Sequence, residues 1–564
     1  MRKITRILLS LLLCLALAGF AACGAAPATA SATPSASTEA ASEAPASTEA
    51  SASASAEPST EADLPIAKEP IKMTLYMGMA TGSRQVHKSA AEVPVVQEMM
   101  KQTGITFEFV HPPENDDGTF FTTMIASGTY PDLISNNFTT YPGGPDGAIE
   151  DGVLINMNDL IAANAPNFNS FLETYPPDVK KRIVSDKGTI IRFGTIFNPE
   201  FLEGRVHGGF MARADLLEKY GITELPETYD EYEAMFKVFK DNGIDVPLSI
   251  SNPNNDWQFS WTNALSGGFG VMWSDFQIGP DGKVAYSRVL PGYRDFLAKM
   301  ADWYKKGYIS SDFLTSNGSD AQKTFKSGRG GISLAGAWEL ITAERVGQEG
   351  DKNFKVVGLP YPRQNKGDKV PSTKSRLLSV DGRAWFVSAQ CKYPTEAVQL
   401  IDYLYRPEVM KMTAWGVNTD TETLWEEKDG KRTFTDFMKN NPDFDFGIAR
   451  DRYTINAMQV LWDEEMEIQQ YDYPVVHEAW ANWAKDTDDS GTLPNWVTMT
   501  ADESREQAEY MSQIKTYGDE MVFKFITGAE PIDKFDEFVA KLKELNLDQA
   551  TALSQAAYDR YMQR

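Results

Sequence analysis

Histidine and cysteine are scarce in this chain of 564 residues, with four and three copies respectively. Cys14 and Cys23 fall in or at the end of an apolar leader, which leaves Cys391 alone in the body and predicts no disulfide within the mature chain. His477-Glu478 lacks a second histidine four residues further on, because Ala481 stands there. The helical zinc motif is therefore missing.

Sequence motifs of phosphate binding and serine hydrolysis are missing too. The chain contains no Gly-x-x-x-x-Gly-Lys phosphate loop and no Gly-x-Ser-x-Gly elbow. Basic residues are outnumbered, with 54 Lys and Arg against 79 Asp and Glu and a formal charge of -25. Because phosphate backbones need a clustered basic surface, we predict no nucleic-acid partner.

Acidic clusters give two weaker chemical signals. Asp463-Glu464-Glu465 could supply paired carboxylates for glycoside hydrolysis, although such runs usually mark a solvated face. Asp486 begins half of a calcium loop, but Val497 stands where a bidentate glutamate is needed. We therefore predict a protein that is not an enzyme and that carries no cofactor and no metal.

The N-terminus has the form of an export signal. Arg2, Lys3 and Arg6 precede an apolar run at 7–17 that is too short to span a bilayer comfortably. We predict a signal peptide at residues 1–22.

The run FAACG at 20–24 resembles the lipobox of bacterial lipoproteins, in which the cysteine is lipidated. This predicts a palmitate-type anchor on Cys23 and a lipid-anchored protein on the extracellular face of the cell membrane. Phe20 departs from the usual leucine, which leaves free secretion as the alternative. Residues 23–69 are rich in Ala, Ser, Thr, Pro and Glu and predict a disordered tether.

The first part of the body alternates between strand and helix patterns. Period-two alternation predicts strands at 71–77, 105–109 and 131–135, and helical spacing predicts helices at 93–102 and 120–128. Such alternation is typical of a mainly parallel sheet covered by helices, which is an α/β fold. The chain exceeds one hydrophobic core, so at least two lobes are expected.

Later helices also have clear signals. Thr228 and Glu231 form a capping box, Pro394 opens a helix, and apolar spacing predicts a late helix at 535–545. Residues 420–445 are charged and poor in apolar side chains, which predicts surface excursions.

Five phrases in the body carry a family resemblance. They are MIASGTYPDLI at 124–134, MARADLL at 211–217, LPETYDE at 225–231, GISLAGAW at 331–338 and KFITG at 524–528. The chain from Ile71 onward resembles the bacterial extracellular solute-binding proteins of carbohydrate ABC importers, the family that includes the maltodextrin-binding protein.

This resemblance implies a two-lobed type 2 periplasmic-binding-protein fold with a hinge and an interlobe cleft. It places lobe 1 at residues 70–198 and 377–435, and lobe 2 at residues 199–376 and 436–564. It also implies a monomer that captures an oligosaccharide or related glycan and delivers it to the permease subunits of an ABC transporter. A surface-anchored glycan-degrading enzyme is the alternative function, and capture of a peptide or another solute is the alternative ligand.

Aromatic residues among polar neighbours are the candidates for sugar contacts, because sugars present flat C–H faces and rims of hydroxyl groups. By similarity, Trp338 and Trp257 match stacking aromatics of maltodextrin-binding relatives, although a tryptophan is more often part of a core. The further candidates on this basis are Trp261, Trp415, Asp256 and Glu339.

Two candidates belong to the strand ends of lobe 1. Open α/β sheets bind ligands beyond the carboxyl ends of their strands, which points to Asn136 with its neighbour Asn137. Relatives have an aromatic residue near this position, and a plain turn is the alternative role for Asn136. Arg84, in the loop after the first strand, could contact ligand or belong to a solvated loop.

Overall fold

The computed structural model describes residues 63–114, 116–175, 177–194, 206–255, 263–273, 276–371, 384–441, 444, 446–494 and 496–564. Two four-stranded sheets and two small hairpins make up its β-structure.

The first sheet has the strand order β10-β3-β1-β2. Its strands are β1 (Ile71–Tyr76), β2 (Ile105–Val110), β3 (Leu133–Asn136) and β10 (Ala384–Val387). β1 runs parallel to β2 and β3, and β10 is antiparallel to β3. The strands and helices predicted between residues 71 and 135 are confirmed, and the helix at Pro94–Thr103 ends at Gly104 with a φ of 72°.

Helices follow the strands of the first sheet along the chain. They are Thr81–Arg84, Pro94–Thr103, Asp117–Ser127, Gly144–Glu150, Asn158–Asn164, Pro166–Thr174, Pro177–Ile183, Pro394–Tyr403 and Pro407–Trp415.

The second sheet has the strand order β5-β8-β4-β9. Its strands are β4 (Gly208–Arg213), β5 (Val246–Ser249), β8 (Gly330–Gly336) and β9 (Val356–Leu359). Only β5 and β8 are parallel; β4 is antiparallel to both of its neighbours. The mainly parallel sheet predicted for the first part of the body is thus confirmed in the first sheet, whereas the second sheet, for which the sequence predicts no strand direction, is mainly antiparallel.

Between β5 and β8 in the chain, β6 (Phe276–Ile278) and β7 (Val284–Tyr286) form a separate antiparallel hairpin. The helices of this part include the capping box at Thr228 and Glu231 and the late helix, both as predicted. They are Ala214–Lys219, Tyr229–Asp241, Pro291–Lys305, Gly318–Lys326, Ala337–Gly350, Pro474–Ala484, Ala501–Thr527, Phe535–Glu544 and Leu547–Met562.

Each sheet has its own hydrophobic core. The first core surrounds the β10-β3-β1-β2 sheet and also contains Val460, Trp496 and Tyr561 from the late part of the chain. The second core surrounds the β5-β8-β4-β9 sheet and contains Trp483 and Ile514. The chain thus passes between the two cores several times.

The predicted surface excursion at 420–445 is largely exposed or half-buried, and its few apolar residues join a third, smaller core. β11 (Trp425–Lys428) and β12 (Lys431–Phe434) form a hairpin, followed by helices Asp436–Lys439, Phe446–Tyr453 and Glu464–Gln470. Leu424, Phe434 and Met438 are buried here with Trp415. These apolar residues are too widely spaced to show a helix or strand period.

None of the helices in the described part of the chain has the length and apolar character needed to cross a membrane.

Candidate functional site

Two adjoining cavities form a groove where the loop after β3 meets the first half of helix Ala501–Thr527, which we call the long helix. Their volumes are about 210 and 650 Å³. Both are lined by Thr139, Tyr141, Met499 and Ser504. The smaller cavity is also lined by Asn137, Gly144, Pro145, Ile191, Arg192, Trp496, Val497 and Thr498. The larger is also lined by Thr140, Pro142, Phe276, Arg505, Gln507, Ala508, Met511 and Lys515.

The groove combines residues that pack on different cores. Tyr141 packs against the first core, of which Trp496 is a buried member. Phe276 and Met511 pack against the second core. A ligand in the groove would therefore touch both sheet-bearing parts of the molecule.

The loop after β3 is held in shape by a buried aromatic anchor. Phe138 has a φ of 51°, which is uncommon for a residue with a side chain. Its ring is fully buried and meets those of Phe121 and Phe386 edge-on, each at a centroid distance of 5.1 Å. This packing fixes the neighbouring Asn137 and Thr139 on the lining of the groove.

Close contact joins this loop to the long helix. The backbone N–H of Gly143 donates to Ser504 Oγ at 3.2 Å. A Cβ at Gly143 would lie 3.0 Å from the backbone N of Ala501, and its φ of 78° also favours glycine. The loop can approach the helix this closely only because Gly143 has no side chain.

The aromatic residues of the groove are oriented by polar partners. The hydroxyl of Tyr141 donates to Asp151 at 2.8 Å, and burial together with this carboxylate raises the pKa of Tyr141 to about 12. Tyr141 is therefore neutral at ordinary pH. The guanidinium of Arg192 lies 4.9 Å from the ring centroid of Trp496, and that of Arg182 lies 5.6 Å away. Such pairs of cation and ring are stabilising.

Trp338 lies at a sheet edge of the kind that binds ligands. β5 and β8 are parallel, so their carboxyl ends share one edge of the second sheet. Trp338 follows β8 directly and is half-buried at the start of helix Ala337–Gly350. Glu339 Oε2 accepts the backbone N–H of Gly336 at 2.9 Å, which caps this helix.

The loop after β5 is fastened by Asn254. Its side-chain oxygen accepts the indole N–H of Trp273 at 2.9 Å, and its side-chain nitrogen donates to Asp519 at 3.0 Å. Asp519 also forms an ion pair with the fully buried Arg288. This network ties the long helix to the residues that lead into the predicted site at 256–261.

The remaining predicted residues have structural partners. Asn136 ends β3, and its side-chain oxygen accepts the N–H of Phe138 at 2.7 Å, so it forms the turn beside the groove. Arg84 donates to the carbonyls of Met79 at 3.0 Å and Pro112 at 2.9 Å, which joins two loops of the first sheet.

Trp415 lies in the third core rather than at a sheet edge. It is 1% exposed, stacks on Phe434 at a centroid distance of 4.4 Å and donates to Asp463 at 3.1 Å. In this conformation it offers no face to a ligand. Trp257, Trp261, Asp256 and Cys23 lie outside the described residues.

Most of the groove was missed by the sequence reasoning. Asn137 is the one lining residue that the sequence pattern predicts, because it follows a strand. Tyr141, Phe276 and Trp496 show the same signal as Trp338, an aromatic residue among polar or glycine neighbours, but nothing in the sequence brings them together.

The described residues contain no group of three or more His, Cys, Asp or Glu placed to hold a metal ion. At the start of the half calcium loop, Asp486 instead accepts a hydrogen bond from the buried Arg363 at 2.8 Å.

Comparisons with known proteins agree with the geometry. Three solved structures have similar folds: an alginate-binding protein, AlgQ2, at 22% identity; FusA, an ABC-transporter substrate binding protein of Streptococcus pneumoniae, at 18%; and an HMO-binding solute-binding protein of Bifidobacterium longum infantis at 15%. The TM-scores are 0.68, 0.66 and 0.68. The matches cover 89%, 87% and 88% of this chain and 100%, 99% and 99% of theirs.

These likenesses show a two-lobed fold, which confirms the predicted fold class. The model of the family described as bacterial extracellular solute-binding protein matches residues 95–419, which is more than half of the chain. With its two cores and the groove that both of them line, the chain belongs to the bacterial extracellular solute-binding proteins.

Proposed function

We propose that this protein captures an oligosaccharide in the groove between its two cores and delivers it to the permease of an ABC importer. Family membership supports a binding role outside the cell. Structures with the same fold are named for binding alginate and HMO, and one is a complex with fructo-nystose. These ligands share carbohydrate chemistry.

The lining of the groove carries the proposal. It combines aromatic rings with hydroxyl and amide groups, which suit the two kinds of surface on a sugar. It also takes its residues from both cores, so a bound ligand would hold them together. A cavity of about 650 Å³ has the size of a typical small-ligand site.

Further contacts are proposed at the edge of the second sheet. The half-buried Trp338 would stack on a sugar ring, and Trp257, Trp261 and Asp256, which are candidates from the sequence, would add further contacts. Asn136, Glu339 and Arg84 would support the site indirectly, through their hydrogen bonds to backbone groups of nearby loops and of a helix start. Trp415 would act only by supporting the third core.

The proposed role is binding without turnover. Calorimetry with a panel of defined oligosaccharides should find a saturable ligand for the purified protein, and the melting temperature should rise with ligand concentration. Chromatography of the same mixtures should show each oligosaccharide unchanged. New reducing ends would instead support a glycan-degrading enzyme, and the absence of any binding across the panel would refute glycan capture.

We also propose that Cys23 anchors a monomer to the membrane, next to the permease. The leader at 1–22 and the lipobox-like run support this proposal. Cys23→Ser should release the protein into the medium, whereas the unchanged protein should sediment with membranes. A Cys23→Ser protein that still sediments with membranes would contradict the anchor.

A further inference from the structure

The two cavities of the groove have an unusual charge for this molecule. Among the residues described, neither cavity is lined by an aspartate or a glutamate, whereas Arg192, Arg505 and Lys515 line them. The whole chain has 79 acidic residues against 54 basic ones. The basic charge on the described lining, in such an acidic protein, points to a ligand that carries negative charge.

The long helix lines the larger cavity with a face that carries no acidic side chain. Ser504, Ala508, Met511 and Lys515 recur at intervals of three and four residues, which places them on one helical face. The acids Asp502, Glu503, Glu506 and Glu509 of the same helix are not among the lining residues. The helix therefore presents Arg505 and Lys515 to the groove, and none of these four acids lines it.

The nearest acids are also engaged with other groups. Glu503 is paired with Arg560. Burial alone would raise the pKa of Glu503, but hydrogen bonds from Arg560 and from the backbone of Thr500 outweigh it and lower this pKa. Glu506 accepts the hydroxyl of Tyr510 at 2.6 Å.

The basic side chains of the long helix can reorient toward a ligand. Lys515 is exposed and has no ion pair with another described residue. Arg505 pairs with Asp502, but the two side chains are 63% and 91% exposed. Exposed pairs of this kind contribute little to stability, so exchange of Asp502 for a ligand anion costs little.

We propose that the groove selects an oligosaccharide bearing anionic groups, either uronate carboxylates or sulfate esters. The inference rests on the proposed glycan-binding function and narrows it to an acidic class of ligand. Arg505 and Lys515 are separated by about 15 Å along the helix axis. The geometry therefore fits an extended oligomer with at least two charged units rather than a single acidic sugar.

Three probes test the proposal by calorimetry. They are a uronate tetrasaccharide, the same tetrasaccharide with its carboxyl groups reduced to alcohols, and a sulfated tetrasaccharide. The protein should bind at least one anionic probe about tenfold or more tighter than the reduced one, and that affinity should fall as salt is raised. The anionic probe that binds more tightly shows whether the preferred charged group is a carboxylate or a sulfate ester.

Substitutions of the basic groove residues test whether they cause the preference for anionic ligands. Lys515→Gln and Arg505→Gln should each weaken binding of the anionic probe by about tenfold, and they should weaken binding of the reduced probe by much less. Lys524→Gln is the matched control, because Lys524 lies on the same helix outside the groove and makes the same change in net charge. It should bind as the unaltered protein does.

The outcomes separate this inference from the proposed function. Equal affinity for the acidic and reduced probes would overturn the anionic class and leave glycan capture intact. Unaltered binding by both groove variants, or an equal loss in Lys524→Gln, would also overturn it. Failure of every glycan to bind would refute the proposed function itself.

Discussion

Trp338 and Trp415 differ in exposure, and this difference decides what each can do. Trp338 is half-buried at the sheet edge, whereas Trp415 is 1% exposed in the third core. Trp338→Ala should weaken ligand binding by about 2 kcal/mol, about thirtyfold in Kd, because a stacking surface is lost. The free energy of unfolding should fall by less. Calorimetry and thermal melting of the same variant measure both.

Trp415→Ala is the matched control for that experiment. Removing a buried tryptophan leaves a cavity, and the free energy of unfolding should drop by about 3–5 kcal/mol. The surviving folded protein should bind as before. If instead Trp338→Ala lowers the melting temperature strongly and leaves affinity unaltered, then Trp338 is a core residue.

His111 makes the stability of the first sheet depend on pH. Its Nδ1–H donates to the carbonyl of Met77 at 2.7 Å, and its Nε2 accepts the N–H of Ala90 at 3.0 Å. Burial lowers the pKa of His111 below its ordinary value of 6.5; the hydrogen bond to Met77 raises this pKa and the charge of Arg84 lowers it, and the net shift is downward. The folded protein therefore favours neutral His111, and stability present above pH 6.5 is lost as the pH falls from 6.5 toward the lowered pKa.

A His111→Gln variant isolates this effect. At pH 7.5 it should be less stable by about 1–2 kcal/mol, because at least one of the two hydrogen bonds is lost. The difference from the unaltered protein should shrink between pH 6.5 and pH 5. Urea unfolding at pH 7.5, 6 and 5 measures it, and a difference that stays constant across this range would rule out His111 as the source.

The residues of the site were only partly predictable. Asn136 follows a strand that the sequence pattern predicts, whereas the position of Trp338 after a strand is expected only from the family resemblance. Tyr141 and Ser504 line one groove although more than three hundred positions separate them, and no local pattern encodes that contact. The alternative turn role of Asn136 is visible only in its hydrogen bond to the Phe138 backbone.

At the scale of elements, close packing of helix on strand depends on small residues. Helix Pro474–Ala484 lies against β9, and a Cβ at Gly358 would be 2.4 Å from Ala479 Cβ and 2.6 Å from its Cα. The backbone of the helix cannot yield as a side chain could. Gly358→Ala should therefore lower the free energy of unfolding by about 1–3 kcal/mol in a denaturant titration.

Gly118→Ala provides the comparison for this variant. Gly118 lies in helix Asp117–Ser127, and a Cβ there would meet nothing within 4 Å. Alanine is the better helix former, so stability should stay unchanged or rise by up to about 1 kcal/mol. A similar loss in both variants would mean that the contact with Ala479 is not the cause.

The sequence predicts those helices and strands that have a clear local pattern, and it does not predict features that depend on distant residues. The βαβ opening and the capping box of Thr228 follow from sequence periods and cap residues, which act within a few positions. The direction of β4 depends on partners more than one hundred residues away, as with β8. The third core is assembled from isolated apolar residues such as Leu424 and Met438, each without a periodic neighbour.

At the scale of the molecule, the late chain joins the two cores. Helix Leu547–Met562 places Ala550 in the second core and Tyr561 in the first. Near its end, Arg560 pairs with Asp186 and with Glu503 of the long helix. The proposed lobe limits at residues 198, 376 and 435 stay predictions, and the presence of Val460 and Trp496 in the first core shows how often the chain crosses.

The groove between the cores leads to a prediction about motion. A ligand that touches Tyr141 on one side and Met511 on the other gains its full set of contacts only when the two sides approach. Binding therefore favours a more closed conformation of the molecule. Small-angle scattering should show a smaller radius of gyration with saturating ligand than without it, and an oligosaccharide that does not bind serves as the control. Calorimetric saturation with an unchanged scattering profile would contradict closure, because it would mean that the ligand contacts are complete in the unliganded form.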